Sequence, residues 1–290
     1  MVIFLVFLGF LAANLLVAAA LVPPLHQFLA GFVEIDPDRM LYRLAMLLAL
    51  IGFWPLLRRL HLANRRALGL AQPWPQLRRE ILAGFLWGLA ILTALSLLLL
   101  AADVRPLRPW NDTLAAKLAG TAVTALVSGL LVGIIEETFF RGAMFEGIRR
   151  HRGPVVAGLL TAVLYAALHF VRPAEPPPGP LGWDAGFGML AGAFERYRDF
   201  PAIADSFFAL VTVGLFLALV RWRTGSIAAA IGLHAGWVYV IMLTRRITTY
   251  NPDAAAAGLV GNYDFLTGWL AAAWLLLLGG LYWRHTGRHG

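Results

Sequence analysis

Two acidic residues and one arginine interrupt a long apolar stretch of the sequence, in the segment LVGIIEETFFRGAMF, residues 131–145. Glu137 and Arg141 are four residues apart with the acid first, a spacing at which the two side chains can pair along a helix. On such a helix Glu136 is turned about 100° away from Glu137, so its carboxylate can face a different neighbour. A carboxylate in an apolar setting that is not paired with a cation can act as a general base on water.

Two histidines in later apolar segments could complete such a site. His169 lies in LYAALHF, one helical turn after Tyr165, and His234 lies in AAIGLHAGW, among small residues that allow helices to approach closely. Counting helical residues from the arginine-rich turns places Glu136, His169 and His234 roughly 16–27 Å below one membrane face. Three titratable side chains in one layer suit hydrolysis in a hydrated cavity.

The three side chains would divide the work of hydrolysis. We expect Glu136 to take a proton from water, His169 to share or orient that water, and His234 to donate to the oxyanion that forms. The same three residues are also a plausible zinc ligand set, although the linear HExxH pattern is absent. In a second interpretation the span ends at Ile135 and the charges lie among lipid headgroups without a chemical role.

The elements that must position these residues are membrane helices. The chain is 60% hydrophobic and 14% charged, whereas soluble domains are about half apolar and about a quarter charged. Apolar stretches of spanning length occur at 1–22, 40–57, 80–102, 113–148, 154–171, 203–220, 226–244 and 264–283. The predicted fold is therefore an all-α polytopic membrane helix bundle with about eight transmembrane helices.

Arginines between these stretches predict the orientation and explain the net charge of +8. They are dense in the loop 58–79, in the turns 149–153 and 221–225, and in the tail, which holds Arg284 and Arg288. Short arginine-rich loops remain cytoplasmic, which puts both termini inside, in what we expect to be a bacterial cytoplasmic (inner) membrane. Because the basic residues flank membrane spans, no nucleic-acid partner is expected, and without cysteine there is no thiolate nucleophile or ligand.

The order E-E-x-x-x-R (Glu136, Glu137, Arg141), aromatic-x-x-x-H (Tyr165, His169) and a later histidine (His234) resembles the CPBP family. This family comprises the type II CAAX prenyl endopeptidases and related bacterial Abi proteins. The resemblance covers about residues 113–245, which predicts three parts of the chain: 1–112 with the first three helices, the core 113–245, and 246–290 with the last helix and tail.

The resemblance implies an intramembrane endopeptidase that uses glutamate-activated water, in preference to zinc, with no other cofactor. Glu136 would be the base, supported by the two histidines. Its substrate would be a membrane protein, a lipidated peptide or a C-terminal sorting signal, in contact with the lipid bilayer. The sequence departs from the family pattern at Tyr165, where phenylalanine is usual, and at Val238, where the family has a polar residue, often asparagine.

Three other functions remain open at this point. One is a non-catalytic immunity or scaffold protein on the same fold, which the apolar Val238 favours. The others are a zinc-dependent protease, with Glu136, His169 and His234 as ligands, and an ion-coupled transporter, since buried ionisable residues also mark ion paths.

Overall fold

Helices make up most of the chain in the computed structural model, which describes residues 1–176, 179 and 181–287. They are α1 (Val2–Leu29), α2 (Pro37–Arg59), α3 (Trp74–Ala101), α4 (Asp112–Glu137), a π-helix (Thr138–Met144), α5 (Phe145–Leu168), α6 (Ala185–Gly192), α7 (Ala204–Thr224), α8 (Ala228–Ile247) and α9 (Trp269–Thr286), with 3₁₀ segments at Glu195–Ile203 and Ala257–Leu259. The described part of the chain contains no β-strand, which confirms the all-α prediction. Arg288 of the predicted basic tail lies outside the described residues.

Within the described residues, six helical stretches are long and apolar enough to cross a membrane. They are Val2–Leu29, Pro37–Arg59, Trp74–Ala101, Asp112–Leu168, Ala185–Thr224 and Ala228–Ile247. The fourth contains two predicted spans, because Gly153 (φ 79°, ψ 170°) breaks the helix where the sequence predicted a turn. The last predicted span coincides with α9, which is not among the six, so the number eight stays a prediction.

Contacts divide the chain into two units. One consists of Met1–Ala63 with Ala166–Ile203, and the other of Asn64–Tyr165 with Ala204–Gly290. In the first unit α1 packs on α2 and α6 around a core that includes Val22, Leu41 and Met189. The predicted division into 1–112, 113–245 and 246–290 stays a prediction.

Within the second unit, α8 packs against both α3 and α4. Glycines make these approaches close: a Cβ on Gly232 of α8 would collide with the carbonyl oxygen of Ile81, and one on Gly129 of α4 would lie 2.8 Å from that of Ala235. Such close backbone contact is how small residues let membrane helices associate. It brings the end of α4, where the two glutamates lie, against the middle of α8, where His234 lies.

Arginines on the side predicted to face away from the cytoplasm hold two connecting segments together. Nε of Arg105, a buried residue, donates to the Thr248 hydroxyl at 2.9 Å, and Nε of Arg108 donates to the Thr248 carbonyl at 2.9 Å. Burial also lowers the pKa of Arg105 below its usual value. These two arginines thus have partners within the protein.

Candidate active site

The charges of the E-E-x-x-x-R segment lie in continuous helix. α4 extends to Glu137 and passes directly into the π-helix, so the helix itself does not end at Ile135. The interpretation in which these charges lie among lipid headgroups stays a prediction. The side chains of Glu137 and Arg141 are both 0% exposed. A π-helix inside an α-helix is uncommon and is often found at functional sites.

Glu137 and Arg141 form the predicted ion pair. Nη1 of Arg141 donates to Oε1 of Glu137 at 3.1 Å, and Nη2 donates to the carbonyl of Gly214 in α7 at 3.3 Å. The guanidinium carbon also lies 4.5 Å from the centre of the Tyr165 ring. The arginine therefore connects the π-helix with α5 and α7.

His234 binds the same carboxylate, a contact that the sequence did not predict. Its Nδ1 lies 2.9 Å from Oε1 of Glu137, while its Nε2 lies 3.9 Å from Oε2 of Glu136. An ionised carboxylate only accepts hydrogen bonds, so the Nδ1–H group of His234 donates a hydrogen bond to Glu137. This bond orients the ring so that Nε2 faces Glu136.

Glu136 is the less buried of the two acids. Its side chain is 27% exposed, and Oε2 is buried without a hydrogen-bond partner among the described residues. The distance of 3.9 Å to His234 is too long for a direct hydrogen bond, but one water molecule can bridge a gap of that size. The pair of side chains can therefore hold a water molecule between a base and an imidazole.

Aromatic rings form one wall of the site. Tyr165 is buried and meets His234 edge to face, with 6.3 Å between ring centroids, and Phe140 meets Tyr165 at 5.4 Å. The predicted supporting role of Tyr165 stays a prediction. The rings surround the buried charges with apolar surface.

His169 follows the end of α5 and is half-buried. It belongs to the first unit, whereas Glu136 and His234 belong to the second. Its predicted part in holding the water stays a prediction.

The zinc alternative depends on how the possible ligands are arranged. Glu137 and His234 are in direct hydrogen-bond contact, and Glu137 is also paired with Arg141. Among residues 1–176, 179 and 181–287, no group of three or more His, Cys, Asp or Glu is placed to hold a metal ion. His169 of the predicted zinc set lies in the first unit, whereas Glu136 and His234 lie in the second, so the zinc alternative stays a prediction.

At the departure from the family pattern, Val238 is half-buried on α8 and supplies no donor. The neighbouring Trp237 is buried against Phe216, with 5.9 Å between ring centroids. Its indole N–H has no hydrogen-bond partner within the described residues. The structure assigns no replacement for the missing polar side chain.

Sequence reasoning missed three features of this site: the bond between His234 and Glu137, the carbonyl of Gly214, and the π-helix. The separation of 97 positions between Glu137 and His234 leaves no local signal. A clue to the π-helix was available, since the segment 136–141 must carry two acids, two phenylalanines and an arginine within about two turns.

Residues 118–240 match a protein-family model described as type II CAAX prenyl endopeptidase Rce1-like. The match includes every predicted site residue from Glu136 to His234 and nearly fills the predicted core 113–245. It confirms the resemblance to the CPBP family. No curated protein and no solved structure is significantly similar to the chain.

Proposed function

We propose that this integral membrane protein hydrolyses a peptide bond by glutamate-activated water, on the premise that residues 118–240 match the type II CAAX prenyl endopeptidase Rce1-like family model. One observation carries the mechanism. The buried, unpartnered Oε2 of Glu136 lies 3.9 Å from Nε2 of a histidine whose orientation Glu137 sets.

In the proposed reaction Glu136 takes a proton from the bridging water while the water oxygen bonds to the carbonyl carbon of the substrate. His234 lies between two carboxylates, and in its imidazolium form both ring nitrogens are donors. Its Nε2–H then donates to the developing oxyanion. As the C–N bond breaks, Glu136 returns the proton to the leaving amine.

The surrounding residues would keep this geometry rigid. Arg141 pairs with Glu137 and stacks on Tyr165, and burial of this ion pair strengthens its electrostatic hold on His234. Glu137, Arg141 and Tyr165 are thus supporting residues in the proposal, and His169 is a further candidate for orienting the water.

The proposed substrate is a membrane-associated protein, with a lipidated C-terminal peptide or a C-terminal sorting signal as the two chemical classes. The family description favours the first. The arginine-rich turns support a bacterial inner-membrane location with both termini in the cytoplasm.

A second candidate function is a non-catalytic scaffold or immunity protein on the same fold. Val238 favours it, because loss of one oxyanion donor can reduce a rate by about 10²–10³. A scaffold does not need the Glu136 carboxylate, so substitution of this residue separates the two candidates.

The test uses the purified full-length protein in lipid nanodiscs with a farnesylated, fluorogenic CAAX peptide and its unprenylated counterpart. In parallel, new peptide termini are sequenced from membranes of cells that express the protein. We expect cleavage by the wild type and a loss of at least about 10³-fold in Glu136→Gln, because the general base is removed. Glu195→Gln, at a carboxylate whose side chain is 61% exposed, is the control and should retain activity.

Two results would contradict the proposal. One is equal cleavage by the wild type and Glu136→Gln. The other is the absence of any product from either peptide together with identical membrane termini with and without the active protein, which would favour the scaffold.

A further inference from the structure

A second cluster of charges lies just beyond the π-helix and takes no part in the chemistry described above. Glu146 accepts from Nε of Arg149 at 2.8 Å and from Nε of Arg150 at 3.0 Å. Arg221 of α7 completes this Glu146–Arg221 cluster: its Nη2 lies 3.9 Å from Glu146, and its side chain is only 7% exposed. A nearly buried guanidinium is costly unless its donors are used.

The donors of Arg221 reach main-chain carbonyls. Nε donates to the carbonyl of Arg141 at 3.1 Å, and Nη2 donates to that of Ala67 at 3.4 Å. In an α-helix the carbonyl of Arg141 would accept from the N–H of Phe145. That N–H instead donates to the carbonyls of Phe140 and Gly142. In the π-helix the carbonyl of Arg141 therefore lacks its α-helical donor, and Arg221 donates a hydrogen bond to it instead.

The loop 64–70 also packs against the π-helix and Arg221. A Cβ on Gly142 would lie 3.2 Å from the carbonyl oxygen of Leu68, and the N–H of Ile227 donates to the carbonyl of Gly69 at 3.0 Å. Gly69 has a φ of +73°, and a Cβ there would lie 2.9 Å from the guanidinium carbon of Arg221. The arginine therefore occupies a junction of the loop, the π-helix and α7.

The register of the π-helix matters for the site. A π-helix holds one more residue per turn than an α-helix, so return to the α-helical pattern would rotate the flanking segments relative to each other by about 100°. Such a rotation would turn α4, which ends in Glu136 and Glu137, relative to α5, which carries Tyr165, and Glu137 orients His234.

We propose that Arg221 is a positioning residue that holds the π-helix in register and thereby sets the directions of Glu136 and Glu137. Glu146 serves to hold Arg221. The effect on cleavage rests on the proposed peptidase function, whereas the effect on the π-helix does not.

The experiment compares the wild type, Arg221→Gln, Arg221→Lys and the control Arg149→Gln, all as full-length protein in nanodiscs. Arg149 also binds Glu146, but its side chain is 43% exposed. Hydrogen–deuterium exchange is followed in peptides that cover 138–145 and in peptides from α3 and α9. kcat and KM are measured with the farnesylated peptide.

For Arg221→Gln we expect exchange in 138–145 to be faster by on the order of tenfold, with α3 and α9 unchanged, because the opening is local. We expect kcat to fall about 10- to 100-fold with KM within about threefold, since small misplacement of catalytic groups has effects of this size. Arg221→Lys keeps the charge but lacks the planar fork that spans two carbonyls, so it should resemble Arg221→Gln. Arg149→Gln should resemble the wild type.

Three results would overturn the positioning role: unchanged exchange in 138–145, equally faster exchange in all peptides, or full recovery of exchange and kcat in Arg221→Lys. If Arg221→Gln does not fold, the lysine variant decides by the same criteria. If the wild type cleaves nothing while substitution of Arg221 still speeds hydrogen–deuterium exchange in 138–145, the proposed function fails and the positioning role stands.

Discussion

Two clusters of buried charge lie close together along the chain and differ in how completely they are paired. In the Glu146–Arg221 cluster, both oxygens of Glu146 bind guanidinium groups at 2.8–3.0 Å. At the candidate active site, Oε2 of Glu136, Oε2 of Glu137 and Nε of Arg141 are buried without a hydrogen-bond partner among the described residues. Composition alone does not distinguish the two clusters, since both combine glutamate and arginine.

The difference suggests what each cluster is for. Nearly all buried polar atoms in proteins are satisfied, because an unmade hydrogen bond is costly, so a fully paired cluster stabilises the fold. A site that must hold water and a changing substrate leaves some polar atoms for them. We therefore assign chemistry to the incompletely paired cluster and support to the other, and the following predictions test that assignment.

Beyond Glu136→Gln, the largest effect is expected for His234→Asn. The amide of asparagine can keep the bond to Glu137 that Nδ1 makes, but it has no counterpart of Nε2. We expect cleavage of the farnesylated peptide to fall about 10²- to 10⁴-fold, a typical contribution of acid–base catalysis, with little change in thermal stability. His234→Gln is the matched variant, with an amide nearer Nε2. Normal activity in His234→Asn would remove this histidine from the mechanism.

Arg141→Ala should harm folding more than chemistry. It leaves the Glu137 carboxylate, which is 0% exposed, without its cation, and breaking a buried pair typically costs about 3–5 kcal/mol. The measurement is the yield of inserted protein and its melting temperature in detergent, compared with the double variant Glu137→Gln/Arg141→Gln. A stable and well-inserted but inactive Arg141→Ala protein would contradict this division of roles.

Glu146→Gln should have an intermediate effect. It removes the acceptor charge shared by Arg149, Arg150 and the nearly buried Arg221. We expect a loss of stability of about 1.5–3 kcal/mol, the range for hydrogen bonds to charged groups. The free energy of unfolding is compared with that of the wild type in the same detergent. A change below experimental error would show that the full pairing of this cluster is not a source of stability.

The smallest effect is expected for Arg149→Gln, which removes the most exposed arginine of the Glu146–Arg221 cluster, with 43% of its side chain exposed. An exposed ion pair contributes about 0–1 kcal/mol and is screened by salt. The melting temperature of Arg149→Gln should therefore differ little from that of the wild type at both low and high salt. A loss of stability as large as that of Glu146→Gln would mean that the exposed Glu146–Arg149 ion pair, and not Arg221, provides most of the cluster's contribution to stability.

The sequence predicted those features that depend on neighbouring residues. Hydropathy identified membrane helices, because each span must satisfy its own backbone hydrogen bonds within the bilayer. The spacing of four residues predicted the pair of Glu137 with Arg141, and Gly153 predicted the break in the long helix. The motifs also pointed to the family, which the match over residues 118–240 confirms.

The importance of Arg221 could not be predicted in the same way. In the sequence it is one of several arginines in a basic turn, and its spacing from Glu146 and Ala67 follows no helical period. Its role depends on a main-chain carbonyl in another element, and backbone acceptors are the same for every residue type. The helical spacing of Glu146, Arg149 and Arg150 is visible in the sequence, but it does not include Arg221.

By itself the sequence determined the apolar helices, the local ion pair and the order of the motifs, since these follow from periodicity and short-range geometry. Only the tertiary structure decided that His234 binds Glu137 and leaves its other nitrogen to Glu136. The rotation of α8 against α4 makes that choice, and it is set by the close contact of glycines on packed helices. No residue pattern within either helix encodes the rotation of its partner.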